Sequence, residues 1–302
     1  MLLELVSLLL ASVLTALVAG NNLSAAVGTL LGSRIVTRGF GVTLGIIGFS
    51  SGLLFEGYLM RGAAASLQLG NYYLTSYAFA GTIVIFLAAA YFRSPLSLTM
   101  ALIGISTGID ISQGLAVDSD FLIKLVVVWT LAPVLLIILS FYINRATTSR
   151  PMENIWQEAT ILKILLVVVA LLTGFTLGAN TLGLIQELQG DTLLTEVFMV
   201  VAIAAGSIFL SGGVIKRVGE EIFALRYHNA LTSLIVSSAA VEAATLVGIP
   251  LSNTQTLASS ILGVGFSHRY KLLYTKPFLT VAATWVISPL AGLLLGLAAF
   301  II

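Results

Sequence analysis

The chain contains no cysteine, and only 9% of its 302 residues carry charge. The first absence excludes disulfides, thiolate metal sites and cysteine nucleophiles, while leaving the redox compartment open. The second excludes an ordinary soluble domain, which needs far more charge to cover its surface at this length. With 14 basic and 13 acidic residues, the net charge of +1 carries no signal for nucleic acid. A basic stretch ahead of the first apolar run is missing too, so that run reads as a membrane helix and not as a removable leader.

What fills the chain is apolar: 58% of residues are hydrophobic and the mean hydropathy is +1.08. This composition predicts an all-α polytopic membrane protein. Runs of about 20 apolar residues suffice to span a bilayer, and eight occur: Leu2–Leu31, Gly39–Leu59, Tyr72–Phe92, Phe121–Ile143, Ala159–Gln186, Leu193–Gly213, Asn229–Val247 and Phe278–Ile302. Between them the chain writes one phrase twice, as "SPLSLT" from Ser94 and as "IPLSNTQT" from Ile249. Each copy lies in an apolar segment too short for a plain span, and its proline and hydroxyls suit a broken or re-entrant helix. The first and fifth spans are interrupted by "AGNNLSAAVG" and "LGANTLGLIQ", which predicts broken helices there as well.

These features define an internal repeat. Asn21 precedes Pro95 by 74 residues and Asn180 precedes Pro250 by 70. Each half runs from an Asn-bearing broken span, through two plain spans, to the Pro-Leu-Ser-x-Thr segment and a closing span. The expected division is a first membrane repeat over 1–143, a polar cytoplasmic linker over 144–157 and a second repeat over 158–302. Five crossings per half force the second repeat to enter from the opposite side, so the repeats are of inverted topology. With both termini outside, the inner side holds Arg34, Arg38, Arg93, Arg145, Arg150, Lys163, Lys216, Arg217, Arg226, Arg269, Lys271 and Lys276. That is 12 of the 14 basic residues, leaving only Arg61 and Lys124 outside. Such a bias is what the positive-inside rule expects. The outer loops are assigned Asp110, Asp118, Asp120, Glu187 and Asp191.

The repeated phrase has a physical use. A proline opening a half-helix lacks only an N–H that would be orphaned anyway, and the following N–H groups point outward with the positive end of the helix dipole. Ser97, Thr99, Ser252 and Thr254 add hydroxyl donors, with Asn253 and Gln255 beside them. Two such ends facing one another hold a tetrahedral oxyanion without a buried lysine. Ser and Thr also serve plain helix–helix hydrogen bonding in membranes, and it is the duplicated, inverted arrangement that favours a ligand. The interrupted spans supply unwound carbonyls and the side chains of Asn21, Asn22, Asn180 and Thr181 for a coupling cation. Glu242 is read as the only acid well inside a span and hence as a protonation candidate. No lysine or histidine lies mid-span to activate a serine, which argues against an intramembrane enzyme; an anion channel or sensor is the remaining alternative.

These motifs resemble the inorganic phosphate transporter family of the sodium- or proton-coupled type, whose two inverted repeats each carry Gly-Ala-Asn-Asp and later Pro-Val-Ser-Thr-Thr. Here "AGNNLSAAVGT" and "GANTLGL" are similar to the first motif, "SPLSLT" and "IPLSNTQT" to the second. The resemblance implies a secondary transporter of the plasma membrane, a homodimer among membrane lipids, with phosphate as substrate, sodium or protons as coupling ion and no cofactor. The chain departs from the pattern in a definite way. The motif aspartate is Asn22 in one half and Thr181 in the other, its later asparagine is Ala25 and Leu184, and the central threonine is Leu98 and Asn253. Loss of both acids predicts weaker sodium dependence, and it makes sulfate, fully ionised without a proton acceptor, the alternative substrate.

Overall fold

The structure is a computed structural model that describes residues 2–32, 35–91, 96–148, 155–211, 227–268 and 275–301. Pro95, Arg93, Glu220, Glu221, Arg226 and the linker residues 149–154 lie outside the described residues. Among the described residues the regular elements are all helical. In chain order they are α1 (Leu2–Gly32), α2 (Arg38–Glu56), a 3-10 turn (Gly57–Met60), α3 (Arg61–Ser66), α4 (Tyr72–Tyr91), α5 (Leu98–Ser112) and α6 (Ser119–Thr148). There follow α7 (Ile155–Leu177), a π-turn (Gly178–Leu182), α8 (Gly183–Gln189), α9 (Leu193–Phe209), α10 (Tyr227–Leu246), α11 (Asn253–His268), α12 (Thr275–Leu297) and a closing 3-10 turn (Ala298–Ile301).

Among the described residues six helical stretches are long and apolar enough to cross a membrane, where the sequence suggested eight. The difference lies at α9, only 17 residues long, and at the apolar stretch 281–297 of α12; α5 is likewise short, as its phrase predicted. At 1.5 Å per residue α5 and α9, of 15 and 17 residues, fall short of a 30 Å hydrocarbon layer. A further difference is at the first span. The predicted break around Asn21 and Asn22 does not occur, and α1 is continuous for 31 residues. Asparagine tolerates helical backbone, and Ser24 bonds back to the Asn21 carbonyl inside the helix at 3.1 Å. Only the second half is broken, at the π-turn.

Helices pack by a scheme that recurs in the two halves. The half-helix of each half lies on the closing helix of the other: α5 on α12, and α11 on α6. Likewise α1 packs on α9 while α7 packs on α2, and α1–α4 is matched by α7–α10. Close approach depends on glycine. A Cβ on Gly52 would run into the Phe175 carbonyl of α7, and one on Gly104 into the Pro289 carbonyl of α12. The core holds buried Leu14, Leu23, Leu30, Phe49, Phe79, Ile105 and Ile109. By contrast α6 and α7 present Val126, Leu135, Ile138, Ile164 and Val168 outward, the surface a helix needs against lipid tails, which solvate Leu as well as protein does.

Candidate functional site

The site is built around the π-turn, where the helix of the second half loses its regular ladder. A π-turn inserts one residue into an α-helix and often marks a functional position. Here it sets Asn180 and Thr181, both buried, on different tasks. Asn180 faces the connection between α10 and α11. Its Nδ2 donates to Thr245 Oγ1 and to the Ile249 carbonyl, each at 3.0 Å, and its Oδ1 accepts from the Leu251 N–H at 2.9 Å. One side chain thus fixes the entry to the second Pro-Leu-Ser-x-Thr phrase. Gly248 makes the turn before it with φ +69°, a conformation costly to residues with a Cβ.

Thr181 faces the other way, into a small, partly enclosed cavity that it shares with Thr99, Leu98 and Thr82, walled by Leu14, Val18, Leu102, Leu184 and Ile185. The structure therefore brings Thr99, from the first phrase, to Thr181, from the second half's broken helix. The cavity has room for about one water, far less than a phosphate. The helices around it must part before an oxyanion of that size enters.

The other predicted residues divide. Ser97 caps α5: its Oγ accepts from the Met100 N–H at 3.3 Å, while its own N–H donates to Ser288 of α12 at 3.2 Å. Ser252 and Thr254 bond to each other at 2.9 Å. Ser97 and Ser252 share neither a hydrogen bond nor a cavity wall among the described residues, so the two serines do not meet directly. Gln255 donates to the Trp129 carbonyl at 2.8 Å, and Trp129 Nε1 donates to the Pro250 carbonyl at 3.0 Å. This reciprocal pair ties the second phrase to α6 of the first half. Asn253 is buried, and its Nδ2 has no hydrogen-bond partner among the described residues. Asn21 is half-buried and Asn22 buried on the unbroken α1.

Sequence reasoning missed several groups. Glu242 is not the only acid within the helical body: its carboxyl lies close to that of Glu56 at the end of α2, and among the described residues each keeps one buried oxygen without a partner. Asp110, assigned above to an outer loop, lies inside α5 and is 2% exposed. The signal was present in its position two residues before the helix end, but the loop reading ended α5 too early. Trp129 carried no signal at all, because an indole in an apolar span reads as lipid-facing or core.

A second, open depression of about 710 Å³ is lined by Arg61, Gln68, Asn71, Tyr72, Glu187 and Gln189, among others. Arg61 is its basic group and is already engaged, with Glu187 at 3.2 Å and Asp191 at 3.0 Å. Those pairs join α3 of the first half to the end of α8 in the second. Two acids on one guanidinium leave the mouth of this depression poor as an anion trap. Nearby, Asp118 accepts from the Phe121 N–H at 3.0 Å and from Ser66 at 2.8 Å; these bonds hold its carboxyl below the usual range.

Comparison with known proteins bears on this arrangement. The model of the phosphate transporter family matches residues 144–296, which include the π-turn, the second phrase and Glu242. A protein of Methanocaldococcus jannaschii named as a phosphate permease is 25% identical over 291 residues, covering 91% of this chain and 90% of its own. A protein of Bacillus subtilis named as a low-affinity inorganic phosphate transporter is 28% identical over 235 residues, 70% of this chain and 69% of its own. Among solved structures, one titled as the sodium-dependent phosphate transporter superimposes with a TM-score of 0.84 at 15% identity, covering 99% of this chain and 98% of that one; at that identity the likeness establishes the fold. With more than half of its length matched, the chain belongs to the phosphate transporter family.

Proposed function

We propose that this chain is a phosphate permease whose anion site lies between the π-turn and the N-terminal turns of α5 and α11. The observation that carries this reading is the placement of Thr99 and Thr181 on one cavity, with Asn180 of the same turn holding the second phrase at Leu251. Neutral hydroxyls and N–H groups at helix ends suit an oxyanion in a membrane interior, where a lysine would be costly and would hold the ion too tightly to release it. The two relatives matched over most of the chain are named for phosphate, whereas a sulfate permease of Bacillus subtilis matches over only 31% of it; this favours phosphate over sulfate as cargo.

Transport requires the cavity to open alternately to each side. The correspondence of packing partners between the halves supports two repeats of inverted topology, divided near residues 149–154, and the basic bias supports termini on the outside of the cell membrane. Rocking of one half against the other would then part α5 from the π-turn. With Asn22 and Thr181 in place of the motif aspartates, the coupling ion is read as a proton, carried between Glu242 and Glu56. That pair joins α2 to α10, across the halves, and so is placed to sense their relative motion.

The test is uptake of labelled phosphate into proteoliposomes, with and without sodium and with and without an inward proton gradient, using sulfate as competitor. The expected result is uptake driven by the proton gradient, weakly dependent on sodium and poorly blocked by sulfate. Uptake of sulfate in preference to phosphate would overturn the substrate; a strict need for sodium would overturn the coupling ion. In Glu242→Gln, pH dependence should disappear while phosphate binding remains.

A further inference from the structure

The antiparallel pair α10–α11 is joined by hydroxyls. Ser237 and Thr256 hydrogen-bond across it at 2.8 Å. One turn farther from the connection on each helix, Ser233 and Ser260 come level on the same faces. Both are fully buried, and neither hydroxyl has a partner among the described residues. At the opposite end of this seam stand the bonded hydroxyls of Ser252 and Thr254 and Asn253, 6% exposed with its Nδ2 unpartnered. The seam therefore begins at the second phrase and runs toward the Tyr227 end of α10.

Ordinary helix packing does not explain these groups. In Thr82, Ser106, Ser211, Thr245 and Ser288 the buried hydroxyl donates to the carbonyl four residues back, a bond open to serine in any helix. Ser233 and Ser260 do not make it. The equivalent hairpin of the first half, α4–α5, is built differently. When Ser97 is aligned with Ser252, Thr256 and Ser260 correspond to Ala101 and Ile105, both buried and apolar. Polar groups left without partners at a buried interface are costly. Others lie elsewhere, among them Thr15, Thr29, Ser140 and Ser207, but Ser233 and Ser260 stand level beside a bonded hydroxyl pair on one seam, which is accounted for if a second arrangement of the helices supplies their partner.

We propose that this seam is the lining of the anion's path on one side of the membrane. In the state open toward the Tyr227 end of α10, α11 parts from α10, and Ser233, Ser237, Thr256 and Ser260 conduct a hydrated phosphate away from Asn253. The inference rests on the permease reading above and adds the route. Neutral hydroxyl donors fit this task because they replace water around an anion without trapping it.

The absence of native cysteine makes the test direct. Ser233→Cys and Ser260→Cys each place a single thiol on the seam at nearly constant volume, and Ile235→Cys, on the outward face of α10, serves as control. Each variant is reconstituted in proteoliposomes, checked for uptake of labelled phosphate, and exposed to a membrane-impermeant cationic methanethiosulfonate from each side in turn. The thiols at 233 and 260 are expected to react from one side only, with loss of uptake, and severalfold more slowly under saturating phosphate; the thiol at 235 should not react. Transport-competent variants whose thiols stay inert until the protein is denatured would overturn the proposal. So would thiols that react without effect on uptake and without protection by phosphate. As a second arm, the double variant Ser233→Ala/Ser260→Ala removes two unpartnered hydroxyls, so it should melt no lower than the parent yet take up phosphate severalfold more slowly; unchanged uptake would count against the route. Parent protein that takes up no phosphate would remove the permease reading itself, separately from any result on the thiols.

Discussion

The two halves share a packing scheme and differ in polarity. In the first, α1 is an unbroken helix through Asn21 and Asn22, and the α5 positions that match Thr256 and Ser260 are the buried, apolar Ala101 and Ile105. In the second, the corresponding helix breaks at a π-turn whose Asn180 makes three hydrogen bonds to the hairpin beyond it, and α10–α11 meet over hydroxyls. The nesting is alike in the two halves because glycine contacts such as Gly104 on Pro289 and Gly263 on Ile137 admit few alternatives. It leaves the polar groups free to differ. On this account the first half contributes chiefly a wall and Thr99, while the second contributes the turn, the seam and most of the donors.

The sharpest way to break the comparison is at the asparagines. Asn180→Ala leaves the Leu251 N–H and the Ile249 carbonyl unsatisfied inside the protein, at about 1–3 kcal/mol for each stranded group. Phosphate uptake should be lost and the melting temperature should fall. The same change at Asn21, half-buried on an intact helix, should leave both nearly unaltered; equal losses at the two positions would erase the asymmetry.

A smaller effect separates packing from polarity. Gly104→Ala and Gly263→Ala each push a methyl into a facing carbonyl, of Pro289 and Ile137 respectively, and overpacking of this kind costs about 1–3 kcal/mol. Thermal melts in detergent should show similar losses for the two, since nesting is common to both halves. Ser97→Ala should be milder, about 1 kcal/mol for a lost helix cap, with little change in phosphate affinity. This sets it apart from the hydroxyls on the cavity.

The smallest effect tests the link between α3 and α6. Because folding lowers the Asp118 carboxyl, its contribution is complete above the unfolded value of about 3.9 and fades as pH falls through the lower folded value. Asp118→Asn should therefore lower the melting temperature slightly at neutral pH, where the contribution is complete, and converge on the parent as pH falls below about 4, flattening the acid limb of the curve. A variant equally destabilised at neutral and acid pH would contradict that origin.

Much of this arrangement was legible in the residues. Composition gave the solvent and the repeated Pro-Leu-Ser-x-Thr gave the half-helices, while the spacing from Asn180 to Pro250 marked the repeat without showing that the two would meet. The break at Asn21 was not legible, because "AGNNLSAAVG" and "LGANTLGLIQ" differ little in local propensity and only packing decides whether a helix adds a residue. The partnership of Glu56 with Glu242 escaped because it joins residues 186 positions apart. The seam left a faint trace, in Ser233 and Ser237 and in Thr256 and Ser260, each pair four residues apart and hence on one helix face; nothing in the sequence said that those faces meet.

The central claim is that the anion binds where the first phrase meets the π-turn, on Thr99 and Thr181. A double-mutant cycle measured by titrating phosphate into the purified protein tests it most directly. Thr99→Val and Thr181→Val should each weaken binding by about tenfold to a hundredfold, the worth of one hydrogen bond to a charged ligand. The double variant should lose clearly less than the product of the two, because both hydroxyls serve one ligand. Strict additivity, or a loss confined to one of the two threonines, would contradict a shared site.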